Sequence, residues 1–131
     1  MRNYSEDRVS IILNIVKPEH RASETWPKCS FFGVYDGHGG STCAEFLRDN
    51  LHHYVIKEES FPWDPHAAIL EGFKNAEARF LDICQTKDEK TGLMTVVERS
   101  GSCAIIILIV GEICYVANVG DSRAVLSSNG G

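Results

Sequence analysis

The chain has 131 residues, which is enough for one domain and too few for two. Its formal net charge is −5 and its Lys and Arg residues form no cluster, so we expect no nucleic acid among its partners. No apolar stretch approaches the roughly 20 residues of a membrane helix, and the N-terminus lacks a signal-peptide pattern, so we expect no membrane partner. The five cysteines show no C-x-x-C pairing, which favours reduced thiols and a cytoplasmic or nuclear location.

The first half of the chain predicts two strands and then two helices. Arg8–Val16 and Ser30–Tyr35 are rich in apolar and β-branched residues, and the second strand lacks alternation, so we expect both of its faces to be covered. A helix is predicted from Ser41 to about Glu58, with Thr42 and Glu45 at capping-box spacing. The second helix is expected to begin with Asp64 as its cap and Pro65 at the first helical position, and to run to about Thr86.

The second half of the chain predicts a sheet with an uncovered face. Lys87–Glu98 is interpreted as a charged connector, and Cys103–Val110 is the most apolar strand. A tight turn leads into a partner strand, Ile113–Val119, and Ser122–Leu126 predicts another strand. Two helices can cover one face of such a sheet. We therefore expect the chain to be part of a larger fold, or a partner to cover the other face.

The stretch Phe31–Gly40 joins a buried strand to a helix and carries an acid and a histidine. An Asp36 oxygen is a hard ligand suited to Mg²⁺ or Mn²⁺, and Gly37 leaves its carbonyl open to a cation. His38 has the chemistry of a general acid near neutral pH. The alternative interpretation is a plain strand-turn-helix connection, because Asp-Gly and Gly-Gly both mark turns.

Two further stretches carry possible chemistry. In an extended chain Arg2 and Glu6 share one face and Asp7 lies on the other, so the cation could meet an anionic substrate and a carboxylate could meet a metal. The alternative is a solvated strand start. Asp121, in Gly120–Arg123, also follows a predicted strand, and the alternative there is a polar hairpin turn.

Taken in series, these motifs resemble those of the metal-dependent protein phosphatases of type 2C, the PPM family. The resemblance rests on Arg2-x-x-x-Glu6-Asp7, Phe32–Gly40, Ser100-Gly101-Ser102 and Asn118–Ala124, in that order. It implies an α+β fold, an α-β-β-α sandwich of antiparallel sheets with outer helices. It also implies an enzyme that hydrolyses phosphoserine and phosphothreonine in phosphoprotein substrates with two Mn²⁺ or Mg²⁺ ions.

The resemblance assigns metal-binding roles to matching positions. Asp36 corresponds to the carboxylate that bridges both metals, and Gly37 to a ligand through its carbonyl. Glu6 and Asp7 correspond to residues that bind metal directly or hold its waters, and Asp121 to a ligand of a third, weaker site.

Two catalytic roles outside metal binding also follow from the resemblance. Arg2 corresponds to the residue that clamps the phosphate, and His38 to the acid that protonates the leaving alkoxide. Asp36 is counted with them as catalytic because the two metals share it.

The sequence departs from the family in length. Family members are longer, and their second half supplies further aspartates to the metals. We therefore expect residues 1–131 to be the N-terminal portion of a catalytic domain, truncated at the C-terminus and also at the N-terminus, and inactive alone. Two alternatives remain: a non-catalytic phosphatase-like binding module, and a generic α+β metal-binding domain outside the family.

Overall fold

A four-stranded antiparallel sheet organises the chain, with the strands in the spatial order Arg8–Ile12, Cys29–His38, Gly101–Val110 and Ile113–Val119. The computed structural model describes residues 5–120. Its elements in chain order are β1 (Arg8–Ile12), β2 (Cys29–His38), α1 (Thr42–Ile56), α2 (Pro65–Ile83), β3 (Gln85–Lys87), β4 (Met94–Val96), β5 (Gly101–Val110) and β6 (Ile113–Val119). This mixture of antiparallel sheets and two helices confirms the predicted α+β class.

One face of the sheet is covered by the two helices. Along β2 the odd-numbered residues are buried, and Phe31 and Tyr35 are fully inaccessible. Ile106 and Leu108 of β5 are equally inaccessible and belong to the same core. Because side chains alternate between faces along a strand, these residues form one continuous apolar surface against which α1 packs.

The helices pack closely against each other as well as against the sheet. Leu51 and Val55 of α1 are fully buried. Gly72 of α2 lies so close to α1 that a Cβ atom there would sit 2.6 Å from Cγ2 of Val55. The second helix begins as predicted, since Asp64 Oδ1 accepts a hydrogen bond from the Ala67 amide at 3.2 Å and Pro65 follows at the first helical position.

The opposite face of the sheet is open among the described residues. Val9 and Ile11 of β1 are 54% and 67% exposed, Val34 of β2 is 48% exposed, and Val116 of β6 is 55% exposed. These residues share a face, because Val9 pairs with Val34 while Ile11 and Val116 both align with the row through Phe32. The prediction that both faces of β2 are covered is therefore wrong for residues 5–120, whereas the expected open face is present.

The connection between β1 and β2 is fastened to the end of α1 by a buried arginine. Arg21 is 8% exposed, and its guanidinium donates to both Glu24 carboxylate oxygens at 2.8 and 2.7 Å. It also donates to the Glu58 carbonyl at 3.3 Å and lies 4.8 Å from the Trp26 ring centroid. The cation therefore neutralises a carboxylate while its flat group packs on an aromatic surface.

The element boundaries differ from the predictions at several places. The strand predicted for Arg8–Val16 ends at Ile12, and Ile15 turns inward, where its amide bonds to the Cys29 carbonyl at 2.9 Å. The predicted connector Lys87–Glu98 contains the short hairpin partner β4, which pairs with β3. The strand predicted for Ser122–Leu126 lies outside the described residues. Within residues 5–120 no helix has the length and apolar character to cross a bilayer.

Candidate active site

Asp36, Gly37 and His38 are the last three residues of β2. They pair with Cys103, Ser102 and Gly101 of β5, so the acid and the imidazole are held in a strand ladder. The strand predicted for Ser30–Tyr35 runs from Cys29 to His38, so the acid lies within the strand and not beyond its end. Asp36 and His38 are both exposed and lie on the open face of the sheet, two residues apart, which spans roughly 7 Å along a strand.

Gly37 faces the helices and touches the segment before β1. A Cβ atom at Gly37 would lie 2.4 Å from the Glu6 backbone oxygen and 3.2 Å from Cβ of Ala44. Any side chain at this position would collide with backbone, which cannot move aside as a flexible side chain can. The absence of a side chain thus brings the Glu6 segment against the strand that carries Asp36.

The Glu6 carboxylate holds the turn that leads into α1. Its Oε1 accepts a hydrogen bond from the Gly40 amide at 3.1 Å. Gly39 and Gly40 have φ angles of +68° and +120°, conformations that residues with side chains rarely adopt. A carboxylate at this end of α1 is also favoured by the helix dipole.

Arg8 fixes the segment that carries Glu6 and Asp7. Its Nη1 donates to the Ser5 and Asp7 carbonyls at 2.8 Å each, and its Nη2 donates to Glu45 Oε1 of α1 at 2.9 Å. Asp7 directly precedes Arg8, whose strand partner is Tyr35, so Asp7 lies at the level of Asp36. The Arg8 guanidinium therefore links the segment that carries Glu6 and Asp7 to α1.

Ser100 supplies the hydrogen-bond acceptor for the beginning of α1. Its Oγ accepts from the Cys43 amide at 3.0 Å, and its own amide donates to Glu98 Oε1 at 3.0 Å. Hydrogen bonds from Ser100 lower the pKa of Glu98 below its usual value. The predicted capping box of Thr42 and Glu45 is wrong, because the Glu45 carboxylate binds Arg8 and a residue remote in sequence supplies the acceptor.

The donors fit a hard divalent cation in kind. Carboxylate and carbonyl oxygens of Asp36, Asp7 and Gly37 are the atoms that Mg²⁺ and Mn²⁺ prefer. Within residues 5–120 no three His, Cys, Asp or Glu side chains converge on one point. Arg2 and Asp121 lie outside the described residues. The described donors can thus form only part of a ligand set.

Three supporting residues have contacts that the sequence does not show. Arg8 lies in no motif and Glu45 belongs to the predicted capping box, and only the folded chain shows that they join β1 to α1. Ser100 belongs to a motif singled out above, but its contact with α1 spans 57 positions and could not be inferred from spacing.

A cavity of about 630 Å³ lies between α2, β4 and the first residues of β5. Its wall is mostly apolar and includes Leu47, Phe80 and Val96. Neither Asp36 nor His38 lines it. The cavity therefore reaches the candidate active site at Ser100, Gly101 and Ser102 but not at its acid or imidazole.

The family model and the related proteins that match this chain belong to the same family. The family model described as "Protein phosphatase 2C" matches residues 3–131. Protein phosphatase 2C homolog 2 of Hypocrea jecorina is 36% identical over 126 residues, which are 95% of this chain and 27% of that protein. Probable protein phosphatase 2C 11 of Arabidopsis thaliana is 40% identical over 101 residues, which are 77% of this chain and 25% of that protein.

The fold comparison agrees with the sequence comparison. A crystal structure of a variant bacterial serine phosphatase superposes with a TM-score of 0.63 at 21% identity, over 93% of this chain and 49% of that one. The chain spans about a quarter of the length of the two curated relatives described above. Because the family model covers nearly the whole sequence, the chain belongs to the protein phosphatase 2C family.

Proposed function

We propose that residues 1–131 are the N-terminal part of a catalytic domain that hydrolyses phosphoserine and phosphothreonine in proteins. One observation carries the proposal: Asp36 and His38 share the open face at the end of β2, beside the segment that holds Glu6 and Asp7. The Asp36 carboxylate, the His38 imidazole and the segment with Glu6 and Asp7 thus lie at one end of the sheet, in a chain that belongs to a phosphatase family.

The proposed metal ligands are the oxygen donors at this end of the sheet. Asp36 would bridge two Mn²⁺ or Mg²⁺ ions and Gly37 would bind through its carbonyl, while Glu6 and Asp7 bind directly or through water. Asp121 would serve a third, weaker site. When bound, a pair of divalent cations would lower the pKa of a water molecule and neutralise charge on the phosphoryl oxygens.

The remaining chemistry belongs to the chain's own side chains. Arg2 would hold the phosphate by charge-assisted hydrogen bonds, which a planar guanidinium makes to two oxygens at once. His38 would donate a proton to the serine or threonine oxygen as the bond to phosphorus breaks. An alkoxide is a poor leaving group, so this proton transfer matters most for serine and threonine phosphates.

The test makes the same substitution, aspartate to asparagine, at two positions of the chain. In the full-length protein with Mn²⁺, Asp36→Asn should abolish release of phosphate from a phosphoserine peptide. Asp82→Asn, on an exposed position of α2, should leave the rate unchanged. Equal rates for both variants would refute the proposal. The 131-residue chain alone should show no turnover.

A second candidate is a non-catalytic module that binds phosphoproteins. It is favoured by the lack of a three-residue ligand cluster in residues 5–120 and by the open apolar face, which a partner could cover. Under this candidate the chain binds a phosphopeptide in calorimetry while the full-length protein gives no Mn²⁺-dependent turnover. A cytoplasmic or nuclear location stays a prediction, which imaging of the tagged protein would check.

A further inference from the structure

The imidazole of His38 lies directly over a glycine of the neighbouring strand. His38 pairs with Gly101 across the β2–β5 ladder. A Cβ atom at Gly101 would lie 2.4 Å from Nε2, 2.8 Å from Cε1 and 3.2 Å from Cδ2 of His38. Three ring atoms therefore occupy the space that any other residue at position 101 would fill.

A side chain at Gly33, another glycine of the sheet, would also collide with an aromatic ring, but with a different consequence. A Cβ atom at Gly33 would lie 2.2 Å from the hydroxyl oxygen of Tyr35 and 2.6 Å from its Cζ. Tyr35 is fully buried in the core, so its ring has nowhere to go. His38 is exposed and can swing away. A side chain at Gly33 therefore disturbs the core, whereas one at Gly101 displaces the imidazole.

We infer that Gly101 is a positioning residue: its missing side chain leaves the space that holds the His38 imidazole at the end of β2. An exposed ring on a strand end otherwise has several rotamers. The space over Gly101 admits the orientation seen here, which a side chain at position 101 would block, and a general acid gains its effect from a fixed position within reach of the leaving oxygen. This inference rests on the proposed function for the role of His38, but not for the packing itself.

The packing is tested first, without any need for turnover. In the protein labelled with ¹³C and ¹⁵N, NOESY spectra should show contacts between the His38 ring protons and the Gly101 α protons. Gly101→Ala should shift the His38 ring resonances and leave the melting temperature nearly unchanged. The matched variant Gly33→Ala should lower the melting temperature and leave those resonances in place. Absent contacts, or unshifted His38 resonances in Gly101→Ala, would overturn the inference.

The catalytic consequence is tested with two substrates that differ in their leaving groups. A phosphoserine peptide needs a proton at the leaving oxygen, whereas the phenolate of p-nitrophenyl phosphate leaves without one. In the full-length protein, Gly101→Ala should lower kcat/KM for the peptide about tenfold or more, which is part of the roughly 10²–10⁴-fold that a general acid contributes, and spare the aryl phosphate. Gly33→Ala should not change the ratio between the two substrates.

A double variant decides whether Gly101 acts through His38. If it does, Gly101→Ala combined with His38→Gln should be no slower on the peptide than His38→Gln alone. Independent, multiplying losses would overturn the positioning role. Shifted ring resonances together with an unchanged substrate ratio would instead refute the assigned role of His38, so the two proposals can fail separately.

Discussion

The two faces of the four-stranded sheet are built from alternate residues of the same strands, yet they differ in how far their side chains are buried. On the helix face Phe31 and Tyr35 are inaccessible. On the open face Val34 is 48% exposed, and Asp36 and His38 follow it along the strand. The comparison teaches that stability and chemistry are separated by side-chain direction, not by position along the chain.

The largest effect on the free energy of unfolding is expected when an aromatic ring is removed from the face that the helices cover. Phe31→Ala deletes a fully buried side chain and leaves a cavity under α1, so we expect a loss of about 3–5 kcal/mol in the free energy of unfolding. Urea denaturation followed by circular dichroism measures it. A loss no greater than that of an exposed residue would show that the helices do not pack on this face.

A smaller effect is expected where the two helices touch each other. Gly72→Ala places a methyl group 2.6 Å from Val55 Cγ2 and 3.0 Å from its Cα, so α1 and α2 must move apart. We expect a cost of roughly 1–3 kcal/mol from overpacking, measured by the same denaturation. Gly92→Ala, which meets no atom closer than 3.9 Å but has a φ of +72°, serves as a control for strain without crowding.

Glu24, in the connection between β1 and β2, gives a pH-dependent prediction. Hydrogen bonds from Arg21 and Trp26 lower the pKa of Glu24 from 4.5 to about 2. Because the folded state binds this proton less readily than the unfolded chain, the stabilisation is complete above pH 4.5 and is lost as the pH falls toward 2. The melting temperature of Glu24→Gln should therefore fall less steeply over this range than that of the wild-type protein. Parallel curves would contradict the ion pair.

The smallest effect is expected on the open face. Ile11 is 67% exposed, so Ile11→Thr in the 131-residue chain should change the free energy of unfolding by less than about 0.5 kcal/mol. The same variant should reduce self-association in light scattering, because it shrinks an exposed apolar patch. A cost close to that of Phe31→Ala would mean that this face is also packed, and would end the distinction between the two faces.

The sequence predicted the elements well where one local signal decides the outcome. Asp64 and Pro65 were recognised as a helix start because both act within one turn. The two-residue turn between β5 and β6 was recognised from Gly111 and its neighbour, and Gly111 has a φ of +61°. The end of β2 was not recognised, because Gly37 reads as a strand breaker until the ladder to β5 is known.

The residue types of the candidate site were named from the sequence, whereas the contacts that support them were not. The acids and His38 were named from motifs, but the contacts that hold them join residues far apart in sequence. Arg8 reaches Glu45 across 37 positions, and Ser100 reaches α1 across 57. Hydrogen bonds of this kind depend on how strands and helices pack, which no pattern of spacing contains. The roles assigned to Arg2 and Asp121 stay predictions.

The side chains of β2 alternate between the two faces of the sheet, and this alternation has a consequence for strand register during folding. A slip of one residue in the pairing of β2 would turn Asp36 toward the helices and expose Tyr35 and Phe31. Burying a carboxylate without a partner costs several kcal/mol, so the slipped form is unstable. The pairing that completes the core is therefore also the pairing that presents the acid and the imidazole. A chain with the native register therefore presents Asp36 and His38 on the open face, and the slipped register is the less stable form.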